Sequence, residues 1–272
     1  MDRIKQALQR ARIEKDQLPS SNAEKLDPRT IRVAPIRIDY NESQIIKLSD
    51  KTLLEKRIIA GHDDYEAAVN YKILRTQLIQ RMQPRGWNTL AITSTGPSEG
   101  KTLTAMNLAV NIARQYASTV LLVDLDLRRP SISSFFGHES AQGLTDHLLK
   151  GVPLRDILFN PGIERLVILP AGSPIADASE LLRSSDMFAF TKELKTRYKD
   201  RFILFDLPPL LVGDDALSFI PHVECVLLVI EDGRIHPDQL ARAVELLPES
   251  KLIGTVLNKG RNAEKSQNYG YY

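Results

Sequence analysis

Residues 89–109 read TLAITSTGPSEGKTLTAMNLA. An apolar run of strand character (89–93) gives way to a turn-forming stretch, and a helical pattern follows from Lys101 to about Tyr116. Within the turn, Thr95, Gly96, Pro97, Ser98, Glu99, Gly100, Lys101 and Thr102 fit G-x-x-x-x-G-K-[ST], with Thr95 in the first glycine position. A strand that ends, a tight loop and a helix that starts make an anion site. The N–H groups of the loop and of the first helical turn have no intrahelical partner and point at the ligand. Gly100 lets the backbone approach closely. Lys101 is a compact cation for outer phosphates, and the Thr102 hydroxyl can join a Mg²⁺ shell. An incidental Gly-Lys-Thr at a helix start is the competing reading; the strand before it and the helix after it argue against that.

Outward from this loop the texture repeats. Apolar runs at 89–95, 119–127, 165–172, 201–209, 223–233 and 251–259 alternate with helical stretches near 101–116, 144–150, 178–198 and 237–247. The runs are near-continuous rather than alternating in polarity, as in strands buried on both faces. The expected fold is α/β, a mostly parallel twisted sheet flanked by helices. Two runs end on acids. VLLVDLDLRRP (120–130) carries Asp124 and Asp126, and FILFDLPP (202–209) carries Asp206. Ligands of open α/β sheets lie beyond the carboxyl ends of the strands, so these aspartates should share one rim with the loop. There one carboxylate can hold Mg²⁺, directly or through water, and another can orient an attacking hydroxyl or take its proton. Any one of them alone would read equally well as a helix cap. Arg128 and Arg129 follow at once, and either a phosphate-neutralising arginine or a solvated pair fits them.

Composition bounds the rest. A chain of 272 residues, 43% hydrophobic and 26% charged, suits one large α/β domain with an extension. A formal net charge of +2 argues against nucleic-acid binding driven by bulk electrostatics. The single cysteine, Cys225, lies in an apolar run, so no intrachain disulfide forms, which suits a reducing compartment. No apolar stretch approaches the ~20 residues of a membrane span. The charged start MDRIKQALQRARIEK lacks the apolar segment of a signal peptide. A cytoplasmic protein is expected, with any membrane association made through a partner or a surface helix. The five histidines show no metal-ligand spacing.

Three parts are expected. Residues 1–61 hold a short amphipathic helix (4–15) and a polar linker or loosely packed arm with Pro19, Pro28 and Pro35. Residues 62–260 hold the domain. It opens on Asp63 and Asp64 and a helix whose Tyr65, Val69, Ile73, Leu74 and Leu78 recur at helical spacing. Residues 261–272 form a flexible tail ending SQNYGYY, where three of the eight tyrosines fall in the last four positions with nothing apolar beside them.

Together these motifs resemble the bacterial tyrosine kinases, which use P-loop chemistry. Residues 95–102 resemble their Walker A motif, LLVDLDLRRP their Walker A′ motif and ILFDLPP their Walker B motif. GLTDHLLKG and LPAGSPIADASELLRSS are similar to their connecting segments, so the likeness runs from about Tyr65 to the C-terminus. It is greatest to exopolysaccharide-locus (exosortase-associated) autokinases, whose chains also finish in a tyrosine cluster. The resemblance implies a P-loop NTPase fold of the MinD/ParA-like type. It implies an autokinase moving the γ-phosphoryl of ATP, with Mg²⁺, to Tyr269, Tyr271 and Tyr272 of a neighbouring copy. It further implies a homo-oligomer, a membrane chain-length determinant partner in polysaccharide polymerisation and export, and a protein tyrosine phosphatase, at the inner face of the cytoplasmic membrane. By the same likeness Lys101 contacts the β/γ-phosphates and Thr102 binds the metal. Asp124 and Asp126 act at the metal and the attacking hydroxyl, Asp206 holds the metal, and Asn258 reads adenine. The family's E-x-x-R-x-x-R assembly motif falls on Val69, Lys72 and Arg75, so two of three positions differ. The competing readings are a MinD/ParA-type switch ATPase and a nucleotide-binding regulatory subunit. The first usually carries an extra lysine where this chain has Gly96, and it gives no reason for the tyrosine tail.

Overall fold

The apolar runs become strands of one sheet. In a computed structural model of the chain, the described residues are 44–46, 48–60, 65–114, 118–138, 141–197, 200–248 and 251–260. The strands are β1 (Gln44–Ile45), β2 (Thr89–Ser94), β3 (Thr119–Asp124), β4 (Phe159–Asn160), β5 (Leu166–Leu169), β6 (Arg201–Asp206), β7 (Cys225–Glu231) and β8 (Leu252–Asn258). The first helices are α1 (Asp50–Glu55), α2 (Glu66–Met82), α3 (Lys101–Ala113), α4 (Ile132–Phe135) and α5 (Leu144–Lys150). Then come α6 (Leu154–Ile157), α7 (Ala178–Leu182), α8 (Ser185–Arg197), α9 (Asp215–Phe219) and α10 (Pro237–Leu246). The sheet order is β1-β4-β5-β3-β6-β2-β7-β8. Every pairing is parallel except β4 with β5.

Burial on both faces explains why the central strands read as unbroken apolar runs. Val120 and Leu122 of β3 belong to one core with Leu108 and Ile112 of α3, while Leu121 and Val123 belong to the other with Met187 and Phe190 of α8. The same alternation divides Phe202 and Leu204 of β6 from Ile203 and Phe205. Cys225 is core, as expected: its thiol donates to the Thr89 carbonyl at 3.4 Å, and burial, with Glu224 adding, pushes it up to about 12.

Three local readings change. The helical stretch at 178–198 is two helices, because Ser184 accepts from the Met187 N–H at 3.1 Å and caps a new start. Tyr65, just before α2, and Val69 and Ile73 on it are exposed, and the inward side is Ala68, Leu78, Ile79 and Met82. Ala68 is fully buried, and a search for large apolar side chains passes over so small a residue. Finally, residues 48–60, read as part of a polar arm, are packed. Ser49 caps α1 through the Thr52 N–H at 3.1 Å, and Leu53, Ile58 and Ala60 join the α3 core. Asn107 of α3 accepts from the Ile59 and Ala60 N–H groups at 2.9 and 3.1 Å and donates to the Arg57 carbonyl at 3.0 Å. Leu53→Ala should therefore cost about 2–4 kcal/mol in urea unfolding; a cost near zero would show that this segment does not pack. The expected helix at 4–15, the arm at 16–43, Asp63, Asp64 and the tail at 261–272 lie outside the described residues. Among the described residues no helix is long and apolar enough to cross a membrane.

Candidate active site

Sheet register assembles the site. β6 lies between β3 and β2, and Asp124 and Asp206 are direct partners across the β3–β6 pair. The loop leaving β2 is thus beside Asp206, and all three acidic residues meet it on one rim. The turn into α3 needs Gly100, which has φ +97°. A Cβ there would lie 2.1 Å from the Asn258 amide nitrogen. Behind the loop, the chain after β6 is stitched to it: Leu210 and Leu211 N–H groups donate to the Ser94 and Thr95 carbonyls at 2.7 and 3.2 Å.

Lys101 is 9% exposed and sits among carboxylates. Its ammonium lies 3.0 Å from Asp126 Oδ2 and 3.5 Å from Asp206 Oδ2. Burial alone would lower its pKa, but Asp206 and Asp126 reverse the effect and hold it above the usual lysine value. Thr102 donates its hydroxyl to Asp206 Oδ2 at 2.6 Å. Asp124 is fully buried; its Oδ2 accepts from the Ser131 and Ile132 N–H groups, both at 3.0 Å, and its Oδ1 from the Asp126 N–H at 3.1 Å. Burial, and then the neighbouring Asp206 charge, push the Asp124 carboxyl up to about 7. Asp206 is also raised, by burial first.

These residues fit a magnesium nucleotide. Asp206 Oδ1 is buried and has no hydrogen-bond partner, so one lone pair at the loop is unsatisfied by protein. Among the described residues no group of three or more His, Cys, Asp or Glu is gathered as a ready cation cage. Mg²⁺ needs none, since it takes one or two carboxylates and fills its shell with water and phosphate oxygens.

Two candidates are engaged differently from the sequence-based reading. Arg128 makes a two-pronged pair with Asp215, Nε to Oδ2 at 2.6 Å and Nη2 to Oδ1 at 3.1 Å. Asn258 donates to the Glu99 carbonyl at 2.8 Å, which ties β8 to the loop. Asp215 was not singled out from the sequence; its one signal was a Gly-Asp-Asp start to α9. Lys259 was missed too: it donates to the Ser98 carbonyl at 2.7 Å and pairs with Glu231 at 3.1 Å. Tyr269, Tyr271 and Tyr272 lie outside the described residues.

No family model matches the chain. Over 204 residues it is 35% identical to tyrosine-protein kinase YwqD of Bacillus subtilis strain 168, covering 74% of this chain and 84% of that one. The chain belongs to the bacterial tyrosine kinase family. This bacterial tyrosine kinase is also 28% identical over 215 residues to the putative tyrosine-protein kinase CapB of Staphylococcus aureus, covering 78% and 92% of the two chains. Among solved structures, the kinase domain of Escherichia coli tyrosine kinase ETK superposes with a TM-score of 0.70 at 26% identity, over 84% of this chain and 93% of that one. The septum site-determining protein MinD from Pyrococcus horikoshii OT3, complexed with Mg-ADP, gives a TM-score of 0.52 at 24% identity, over 65% and 72% of the two chains. That likeness concerns the fold alone, and it agrees with the expected MinD/ParA-like sheet. Its relatives make this bacterial tyrosine kinase a protein-tyrosine kinase, a transferase built on a nucleotide-binding P-loop.

Proposed function

We propose that the protein is an ATP- and Mg²⁺-dependent autokinase that phosphorylates Tyr269, Tyr271 and Tyr272 on a neighbouring copy. One observation carries this reading: the lining of the cavity over the loop. The cavity measures about 640 Å³ and is lined by Lys101, Thr102 and Asp126 together with the apolar Leu103, Phe135, Pro208, Pro209 and Val212. Water attacking a phosphate needs no apolar wall. An aromatic acceptor ring does, and the charged groups of the same lining would meet its hydroxyl.

Thr102 and Asp206, with Asp124 beside them, would hold magnesium, which would supply positive charge against the phosphates. Lys101 would exchange a carboxylate partner for β/γ-phosphate oxygens and keep a full charge, because its pKa lies above the usual value. Asp126, freed from Lys101, would orient the tyrosine hydroxyl or take its proton. The Arg128–Asp215 pair fixes the wall beyond it, and exposed Arg129 is the arginine left at the rim for phosphate charge. Asn258 would meet the base while bracing the loop.

The relatives' kinship supports a wider setting: exopolysaccharide polymerisation and export, beside a membrane chain-length determinant protein at the inner face of the membrane. A homo-oligomer would present tails in trans, and a protein tyrosine phosphatase would reset them. On α2 the assembly-motif positions differ from the family's usual ones. Val69 is exposed, and Arg75 donates to the Asn111 carbonyl at 3.3 Å within its own chain. The oligomer would therefore use other contacts.

The test is direct. Purified protein is incubated with Mg-ATP and its phosphorylation sites are mapped by mass spectrometry. Phosphotyrosine is expected at 269, 271 and 272, and it should be lost when all three are changed to phenylalanine. A Lys101→Met chain with an intact tail should still be phosphorylated by added wild type. ATP turnover with no phosphotyrosine would replace this reading with a switch ATPase.

A further inference from the structure

A carboxylate inside a loop built for phosphates is unexpected. Glu99 is such a group, 4% exposed and one residue before Gly100. Its partners are donors of the same loop. Glu99 Oε1 accepts the Thr95 hydroxyl at 2.6 Å and the Gly96 N–H at 2.9 Å, and Oε2 accepts the Thr95 N–H at 3.1 Å. Three donors on one carboxylate close the first five residues of the motif into a ring. That ring contains Ser98 at φ +64°, a left-handed conformation unfavourable for a residue with a Cβ, and leads into Gly100 at φ +97°. A loop in this shape needs holding. Asn258 and Lys259 brace it from outside through the Glu99 and Ser98 carbonyls.

We infer that Glu99 and Thr95 are positioning residues for the kinase reaction: Glu99 is an internal acceptor that keeps the phosphate loop in its binding shape before nucleotide arrives. The same arrangement explains why threonine stands in the first glycine position of the motif. Its hydroxyl supplies the shortest of the three bonds, so the side chain that departs from the motif is the one that anchors the carboxylate. Ordering entropy is then met on folding rather than on binding, which favours affinity without touching the chemical step. The inference rests on the reading of the loop as the nucleotide site and not on the tail as acceptor.

Wild type, Glu99→Ala, Thr95→Val, Thr95→Ser and the Thr95→Val/Glu99→Ala double variant are compared. KM for ATP and kcat are read from tyrosine phosphorylation, and Kd from titration with a fluorescent ADP analogue. Glu99→Ala is expected to raise KM and Kd about tenfold or more while kcat at saturating ATP stays within about threefold. Thr95→Val should raise them less, and Thr95→Ser should restore wild-type values. The double variant should be no worse than Glu99→Ala, because Glu99→Ala already removes the hydroxyl contact that Thr95→Val removes. Unchanged KM and Kd, a fall in kcat with KM unchanged, or additive losses in the double variant would each overturn the inference. If Glu99→Ala fails to fold, as judged by circular dichroism, Thr95→Val against Thr95→Ser decides alone: equal KM values reject it. A wild type that binds the ADP analogue but phosphorylates no tyrosine counts against the proposed function, and the Kd values still test the loop.

Discussion

Replacing Lys101 with methionine is expected to lower tyrosine phosphorylation by about 10²–10³-fold, the range for removing one preorganised charge partner of a transition state. Methionine keeps the stem and volume of the buried side chain, so packing around α3 changes little. What is lost is the cation 3.0 Å from Asp126 and 3.5 Å from Asp206. Without it Asp206, already raised by burial, goes further up and takes a proton more readily. The fold survives by that route, since the cluster neutralises itself rather than keeping unpaired buried charges. The variant should therefore melt cooperatively yet fail at transfer. Phosphotyrosine is measured over time by mass spectrometry, with circular dichroism as the folding control. Activity within about threefold of wild type would remove Lys101 from the chemistry.

The parts of this site that the sequence shows plainly are those the sheet dictates. Asp124 and Asp206 end two unbroken apolar runs, and buried parallel strands must bring such ends to one rim; the register then makes them direct partners. Lys101 and Thr102 are legible because a helix start after a tight loop leaves few options for a Gly-Lys-Thr. Contacts between residues far apart in the chain are not legible in the same way. Arg128 and Asp215 are 87 positions apart, and nothing in RRP or GDD names the other. Short elements are equally silent: α4 and α9 have four and five residues, too few to show a helical period. The packed segment 48–60 was hidden for a related reason. Its core residues follow no single period: Leu53 lies in a six-residue helix, the Ile58 N–H turns back to the Leu53 carbonyl at 2.8 Å, and Ala60 is held by Asn107 of α3. Why threonine stands in the first glycine position is not legible either, because its partner Glu99, four residues on, matters only once the loop is closed.

The Asp124 carboxyl should make the apo protein less stable as pH rises from about 4 to about 7, against the opposite trend of His138 and His222, which burial holds below the usual imidazole value. In the folded state the Asp124 carboxyl is pushed up to about 7, by burial first and then by the Asp206 charge, while the Ile132 and Ser131 N–H groups and Lys101 pull it down. In the unfolded chain the same group has the ordinary value of 3.8. Below both values the group is protonated in either state and adds nothing to the pH dependence. Between them the folded protein holds a proton that the unfolded chain has released, so the folded state binds more protons and stability falls as pH climbs. Above about 7 both states are ionised and the full cost is present. At about 1.36 kcal/mol per pH unit of offset, that cost is on the order of a few kcal/mol. Asp206 is shifted in the same direction, so the two carboxyls act together. Guanidinium unfolding at pH 5 and pH 7.5, without magnesium or nucleotide, gives the slope. Asp124→Asn should flatten it. Its amide oxygen can still accept from Ser131 and Ile132, but its NH₂ then faces the Asp126 N–H, a penalty that does not depend on pH. The comparison is therefore between slopes and not between absolute stabilities. Adding Mg-ADP to wild type should also shrink the slope, because a cation near the rim favours the ionised carboxylates. Equal slopes in wild type and Asp124→Asn would mean that this carboxyl titrates near its ordinary value, held there by its three N–H donors in spite of its burial.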